Sequence, residues 1–217
     1  MRHFVAARPP EPTEKREHPT AGSAAGSAAT LGEYAALRLK VDAFAAAVTA
    51  RRGADLKCQS GCAACCHVQL TVSPVEAAAI TAQLATLPAE ARAALRQGLE
   101  RPSTDRRCVM LLSDDTCAIY PARPLVCRSQ GLPLSYSPEQ VPEEARLGLL
   151  ADGRALTCCP LNFTDPARPP RSEDALDGER VDVLLSLVNR RFVSGAEPDT
   201  SPLVRYALAD LAREFVE

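Results

Sequence analysis

The sequence has no tryptophan, and it has only five phenylalanines and four tyrosines among 217 residues. Alanine, leucine and valine supply most of its 46% hydrophobic fraction instead. Strands favour aromatic and β-branched side chains, whereas alanine and leucine favour helices. This balance argues against an all-β fold and predicts a mainly α protein.

Long apolar runs and an excess of one charge are also absent. No stretch reaches the ~18 apolar residues that a membrane span needs, and residues 1–30 hold no apolar run of signal-peptide length. The 25 Lys and Arg nearly balance the 27 Asp and Glu, which gives a net charge of −2. No overall field therefore attracts the chain to nucleic acid or to anionic lipid. We expect a cytoplasmic protein with no nucleic-acid partner and no membrane partner.

Proline, alanine, glycine and serine dominate the start of the chain. Residues 1–29 have little to bury and much backbone entropy to lose, so we predict a disordered tail. Order is predicted to begin at Thr30, which forms a capping-box pattern with Glu33. The length of residues 30–217 indicates a single domain, with its motif core at 58–160.

Helical patterns flank a long irregular stretch. Ser73 and Glu76 form a second capping box, which predicts a helix over 74–87, and Pro88 opens a shorter helix that fades by Arg101. From 101 to 171 helical periodicity is lost, apart from a possible helical turn at 142–150. An apolar stripe over 181–192, which includes Leu184, then predicts a helix ending at Gly195, and a last helix is predicted to start at Thr200. The predicted fold is mainly α, with helices flanking an irregular cysteine-rich metal-binding centre.

Nine cysteines are present, and four of them fall within nine residues: Cys58, Cys62, Cys65 and Cys66. Clustered thiols in a reducing compartment are more often metal ligands or redox groups than disulfides. The residues between them are mostly small, which lets the backbone fold tightly round an ion or a cluster. Consecutive side chains diverge, so Cys65 and Cys66 are expected to serve two sites, or one of them to pack.

The other five cysteines lie in the irregular stretch: Cys108, Cys117, Cys127, Cys158 and Cys159. Nine thiols suffice for two four-thiolate sites with one left over, and we expect one member of the 158–159 pair to be a non-ligand. Zinc and an iron-sulfur cluster satisfy this count equally. Zinc ribbons usually use two separated C-x2-C pairs, whereas here only Cys62 and Cys65 have that spacing. The spacing therefore favours an iron-sulfur cluster or iron, with zinc as the alternative.

Four residues beside the cysteines are predicted to support the site without binding the metal. Arg123 and Arg128 flank a proposed ligand and could offset the negative charge of a tetrathiolate centre. Tyr120 is expected to pack over the site. His67 directly follows the motif, and because thiols already suffice as ligands it is expected to be a supporting or exposed residue.

Two segments, CQSGCAACC at 58–66 and CAIYPARPLVCR at 117–128, together resemble the YkgJ-type cysteine-cluster family, the zinc- or iron-chelating CxxCxxCC domain. Cys108 and one of Cys158 and Cys159 fit the remaining family cysteines, and the first gap is three residues where many relatives have two. The resemblance implies that the protein binds metal through these thiols. The matching positions are Cys58, Cys62, Cys65, Cys66, Cys117, Ile119, Tyr120, Arg123, Pro124, Cys127 and Arg128.

The resemblance leaves three classes of function open. One is a metal-binding protein whose ligand positions are all filled. Some family members resemble flagellin N-methylases, which implies an iron-sulfur-dependent protein-modifying enzyme of the methyl-transfer or redox type, although no glycine-rich methyl-donor loop follows a strand here. The third is an interaction module with purely structural zinc, which presents the helices of 176–216 to a protein partner. A cleft lined by Tyr120, Arg123, Arg128 and His67 would favour the enzyme, and an exposed apolar face on those helices would favour the module.

Overall fold

The computed structural model describes residues 24–102, 105–196 and 200–216. Within these ranges six α-helices alternate with short strands and 3-10 turns, so the mainly α prediction is confirmed. No helix in the described ranges is both long enough and apolar enough to cross a membrane. The helices are α1 (Ala24–Arg52), α2 (Pro74–Leu84), α3 (Ala89–Leu99), α4 (Leu125–Ser129), α5 (Gly178–Ala196) and α6 (Leu208–Val216).

Helix α2 contributes to two apolar cores. On one side Ile80 and Leu84 pack with Leu95 of α3 and Leu211 of α6, all fully buried. On the other side Val75 packs with residues of α1 and α5, and this second core contains Tyr34, Val41 and Phe192. Burial of these side chains against α2 holds the N-terminal and C-terminal helices together.

The buried carboxylate of Glu76 connects two helix starts. It accepts hydrogen bonds from the Ser73 backbone N–H (3.0 Å) and hydroxyl (2.8 Å), which confirms the predicted capping box of α2. Its other oxygen accepts the backbone N–H of Leu125 at 3.1 Å. Leu125 is the first residue of α4, the helix that carries Cys127. One side chain therefore fixes the position of a proposed ligand helix relative to α2.

In the described part of the chain, six short strands form two small sheets. Strand β1 (Thr71–Val72) pairs antiparallel with β6 (Tyr206–Ala207). The other sheet has the order β3-β4-β2-β5, in which β2 runs parallel to β5 and antiparallel to β4. This four-stranded sheet comprises β2 (Leu134–Tyr136), β3 (Gly148–Leu149), β4 (Ala155–Thr157) and β5 (Leu176–Asp177).

Most of the four-stranded sheet lies in the stretch that the sequence predicts to be irregular, so that prediction is wrong for these segments. Its strands are two or three residues long, too short for the period-two alternation that identifies a strand in a sequence. The predicted helical turn at 142–150 is also only partly right. A 3-10 turn covers Glu143–Ala145, and strand β3 follows it.

Three predicted helix ends differ from the structure. Helix α1 begins at Ala24, so Thr30 lies inside it, and the alanines before Thr30 extend the helix upstream. Of the predicted tail, residues 24–29 are therefore helical, while 1–23 lie outside the described residues. Gly195 is inside α5. Helix α6 begins at Leu208 rather than near Thr200, because Tyr206 and Ala207 pair with β1.

The carboxylate of Asp174 anchors the end of α1. Asp174 is completely buried and accepts hydrogen bonds from Arg52 Nη1 (2.6 Å) and from the Arg171 backbone N–H (3.1 Å). Arg52 also donates to the backbone oxygen of Arg168 at 2.7 Å. The cysteine motif begins six residues after the end of α1. These bonds therefore hold the start of the motif next to the segment that follows Cys159.

Replacing Asp174 with alanine should lower the free energy of unfolding by about 3 kcal/mol, because the largely buried Arg52 loses one of its two carboxylate partners and the Arg171 N–H loses its acceptor. Urea unfolding of both proteins in the same metal-loaded state measures this. Asp210→Ala is the matched control, since the Asp210–Arg213 pair is exposed and its removal should cost less than about 0.5 kcal/mol. Equal losses in the two variants would contradict the anchoring role of Asp174.

Candidate metal centre

The cysteine motif forms two turns between α1 and β1. The backbone N–H of Cys62 donates to Gln59 O at 3.0 Å, and that of Cys66 donates to Ala63 O at 2.8 Å. Gly61 lies in the first turn with φ +83°, a conformation that favours glycine. The exposed His67 ring places Nδ1 3.1 Å from the same Ala63 oxygen. Because a carbonyl can only accept, Nδ1 carries the proton and His67 closes the second turn.

Three chain segments bring four half-buried cysteines together: Cys66, Cys108, Cys117 and Cys127. The backbone N–H of Cys108 donates to the backbone oxygen of Cys66 at 2.7 Å. A bridge between Leu111 and Cys117 turns the chain back beside Cys108. Cys108 and Cys117 also pack against the core of α2, α3 and α6. This group therefore lies at the inner end of the loop region.

Burial dominates the electrostatics of these thiols. It raises the pKa of Cys108 and of Cys117, and it raises the pKa of Cys127 to about 12. Thiols with raised pKa values are neutral at pH 7, and binding of a divalent cation displaces their protons.

Cys65 and Cys66 are coupled directly. A hydrogen bond between the two side chains lowers the pKa of Cys66 and raises the pKa of Cys65. The thiolate charges of Cys108, Cys127 and Cys117 oppose this effect on Cys66 by raising its pKa, so all three lie within its electrostatic reach. The two neighbouring thiols contact each other, which limits the divergence expected for consecutive side chains.

The buried side chain of Asn162 holds Cys58 at the other end of the motif. Its amide donates to Cys58 Sγ at 3.3 Å and to the Gly131 backbone oxygen at 2.7 Å, while its carbonyl accepts the Lys57 backbone N–H at 2.7 Å. Its own backbone N–H donates to Cys159 O at 3.0 Å. One residue thus joins the first cysteine of the motif to the last pair of cysteines.

Cys58 has its own set of charged neighbours. The residue is exposed as a whole, yet its sulfur lies against Asn162, and this partial burial raises its pKa. The thiolate charges of Cys159, Cys62 and Cys65 raise the pKa further. Burial also raises the pKa of Cys158 to about 12, and the Cys158 thiol donates to the backbone oxygen of Cys159 at 3.3 Å.

Arg123 is the cation that acts on most of these thiols, and Arg101 acts on Cys108. The charge of Arg123 lowers the pKa of Cys65, Cys117 and Cys127. Its guanidinium lies 3.8 Å above the ring of Tyr120, and its buried Nε has no hydrogen-bond partner. Tyr120 is 59% exposed, so it contacts the region through Arg123 rather than by covering the cysteines.

Arg128 is directed away from the thiols by its bonds. Its Nη1 donates to the Asp42 carboxylate of α1 at 2.6 Å, and its Nε donates to Arg123 O at 2.8 Å. The Asp42 carboxylate neutralises its charge. Arg128 therefore shapes the turn that presents Arg123, and Arg123 is left to act on the thiols.

A groove of about 630 Å³ opens between α1 and the turn at 120–123. Tyr120, Arg123 and Arg128 line it, together with Arg38 and the exposed Leu39. His67, the fourth residue expected in such a cleft, is not among the lining residues. Three of the four expected residues therefore meet at one surface depression.

Helix α5 exposes an apolar face. Val183 is 58% exposed and Leu187 is 51% exposed. Leu184 belongs to the predicted buried stripe of this helix but is 36% exposed, so that part of the prediction is wrong. The stripe that does pack inward comprises Val181, Leu185, Val188 and Phe192.

All nine cysteines are free, and their chemistry fits a thiophilic metal such as zinc or iron. Among the described residues, no three donors of the Cys, His, Asp and Glu types already converge as a metal site. The donors are gathered into neighbouring groups, and a thiol can be redirected by rotation about one side-chain bond.

The part of the chain that holds most of these cysteines matches a known family model. Residues 57–143 match the family model CxxCxxCC, described as "Putative zinc- or iron-chelating domain". This stretch of the chain is similar to that domain. Seven of the nine cysteines lie inside the matched range, and Cys158 and Cys159 lie beyond its end. No curated protein and no solved structure matches the chain.

Sequence reasoning missed Asn162 and Gly131. Both lie in the same small space, since a Cβ at Gly131 would overlap the Cys58 sulfur. Gly131 also has φ +97°, which favours glycine. An isolated asparagine or glycine carries no spacing signal that could have identified either residue.

Gly131→Ala should strain the backbone by about 1 to 2 kcal/mol and displace Cys58, so the variant should be less stable and hold less metal. Gly153→Ala is the matched control, because Gly153 has φ +84° but open space around it. Urea unfolding and metal content are measured for both. A Gly131→Ala variant that holds as much metal as Gly153→Ala would show that the position of Cys58 is not important.

Proposed function

We propose that the chain binds iron, as an iron-sulfur cluster or as iron ions, through its cysteine thiolates, and that zinc is the alternative metal. The observation that carries the proposal is the group of five neighbouring thiols beside Arg123, contributed by three segments of the chain: Cys65, Cys66, Cys108, Cys117 and Cys127. We further propose that the protein is a cytoplasmic, YkgJ-type member of its family, with residues 30–217 as one domain. Free thiols persist in that reducing compartment.

The preference for iron rests on the motif itself. Cys58, Cys62 and Cys65 follow one another at gaps of three and two residues, whereas zinc ribbons usually repeat one short gap in two separate pairs. Small residues between the cysteines, such as Gly61 and Ala64, leave backbone N–H groups accessible to the sulfurs of a cluster.

Arg123 is proposed to offset the negative charge of the bound centre. A tetrathiolate site retains net negative charge after a divalent metal binds. Arg123 acts on three of the five thiols, and its Nε has no other partner. Arg128, which pairs with Asp42, is proposed to position Arg123.

Each of the two other classes of function has one favourable observation. The groove beside Tyr120 and Arg123 favours a protein-modifying enzyme of the methyl-transfer or redox type, because a substrate chain could reach the centre there. The exposed apolar face of α5 favours an interaction module with structural zinc, because exposed apolar faces of this kind are typical binding surfaces for protein partners.

Anaerobic purification with metal and sulfide analysis tests the proposed function. Wild-type protein should be brown, with iron, acid-labile sulfide and a broad absorption band near ~400 nm, and Cys62→Ala should lose part of this band. Colourless protein with stoichiometric zinc would select the alternative metal and, with it, a structural site. Wild-type protein that holds neither metal would overturn the proposal.

Arg123→Gln should weaken metal binding by about tenfold, because the thiolates lose their compensating charge. Competition with a chelator measures the affinity. Arg38→Gln is a close control, since Arg38 also lines the groove, lies over a tyrosine ring and has a buried Nε without a partner. Equal affinities of the two variants would remove Arg123 from the proposed role.

A further inference from the structure

The cysteines at the two ends of the motif have different neighbours, and Cys65, which hydrogen-bonds to Cys66, lies within electrostatic reach of both groups. Cys66 lies among Cys108, Cys117 and Cys127, whereas the neighbours of Cys58 are Cys62, Cys65 and Cys159. We propose that the chain has two four-thiol metal sites. The inner site comprises Cys66, Cys108, Cys117 and Cys127, and the outer site comprises Cys58, Cys62, Cys65 and Cys159. This inference rests on the proposed function and adds to it the number of centres and the ligands of each.

Backbone geometry supports the inner site. The hydrogen bond from Cys108 N–H to Cys66 O, 2.7 Å long, places these two residues side by side. The Leu111–Cys117 bridge brings in the third residue, and the Glu76 contact to Leu125 fixes the helix that supplies Cys127. All four cysteines are half-buried, and two of them pack against the apolar core.

Asn162 supports the outer site. It bonds to Cys58 through its side-chain amide (3.3 Å to Sγ) and to Cys159 through its backbone N–H (3.0 Å to the oxygen). The bond to Cys58 joins residues 104 positions apart. Asn162 is only 3% exposed, so the asparagine end of this bond is shielded from water. An N–H that donates to sulfur is typical of the surroundings of thiolate ligands, where it stabilises the charged sulfur.

Cys158 is the ninth thiol and belongs to neither site. Its Sγ hydrogen-bonds to the Cys159 backbone oxygen at 3.3 Å. Asn162, whose side chain holds the Cys58 sulfur, donates its backbone N–H to Cys159, so Cys159 is the member of the pair assigned to the outer site. Cys159 lies outside the matched range 57–143, so the outer site is completed by a segment beyond the stretch that is similar to the CxxCxxCC domain.

The two sites differ in their contact with solvent. Cys58 and Cys65 of the outer site are exposed, whereas none of the four inner cysteines is. Water, chelators and protein partners can therefore reach the outer metal more easily. The inner site is the structural one, and the outer site is the one that exchanges metal.

Serine variants of the adjacent pair provide the test. Cys159→Ser should lower the metal bound per chain after anaerobic purification to about half of the wild-type value, because one of two sites is lost. Cys158→Ser should retain the full amount. Cys117→Ser should lose the inner metal, and the Cys117→Ser/Cys159→Ser double variant should retain none.

The outcomes separate this inference from the proposed function. A wild type with no metal overturns both, and a wild type with a single centre overturns the two-site assignment alone. The assignment is also overturned if Cys159→Ser keeps all its metal, if Cys158→Ser loses as much as Cys159→Ser, or if one single variant loses both centres while remaining folded.

A second measurement avoids the risk that a cysteine variant fails to fold. Wild-type protein and Asn162→Asp are loaded with Co²⁺, and their sulfur-to-cobalt absorption bands are compared. Asn162→Asp should shift the bands of one of two cobalt sites, because Cys58 loses its N–H donor while Lys57 keeps its acceptor. Asn189→Asp is the control, because Asn189 is as buried as Asn162 and also links two segments of the chain. Its side chain accepts the Val75 N–H and donates to Pro202 O, and it does not bond to sulfur. Identical spectra of Asn162→Asp and Asn189→Asp would overturn the outer site.

Discussion

Removal of several thiols from water within one small region is the constraint on which the centre of this protein depends. Burial raises the pKa of Cys108, Cys117 and Cys127, while Arg123 acts on Cys117 and Cys127 and Arg101 acts on Cys108. Two guanidiniums do not balance the thiolates of this group, so its ionised form requires further positive charge. A metal supplies that charge and joins the segments at the same time. The electrostatics of the region and its folding are therefore linked.

Helices α1, α2 and α5 supply the rigid frame for this region, although none of them carries a cysteine. Helices α1 and α2 act through single polar side chains at one end. Glu76 connects the start of α2 to α4, and Arg52 connects the end of α1 to Asp174. Both carboxylates, Glu76 and Asp174, are buried, so loss of either one removes an acceptor from backbone N–H groups around it. The cysteine loops gain their order from a few such attachments, because they lack long regular elements.

The cysteine motif and the mainly α fold could be predicted because both leave periodic or spaced signals in the sequence. The capping box at Ser73 was right because Pro74 and Glu76 reinforce one helix start, whereas the same pattern at Thr30 was wrong because alanines upstream continue the helix. Asn162 and Gly131 could not be predicted. Their roles come from contacts across the fold, and a single asparagine or glycine has no local pattern to indicate such contacts.

The link made by Asn162 also determines when the cysteine region can be completed. Cys58 and Asn162 are 104 positions apart, and the segment that carries Cys66, Cys108, Cys117 and Cys127 lies between them. A chain emerging from the ribosome therefore exposes all of those intervening cysteines before Asn162 is available. The link around Cys58 therefore closes only after all four of these cysteines have been synthesised. Until then the Cys58 sulfur lacks the amide N–H that holds it in the folded protein.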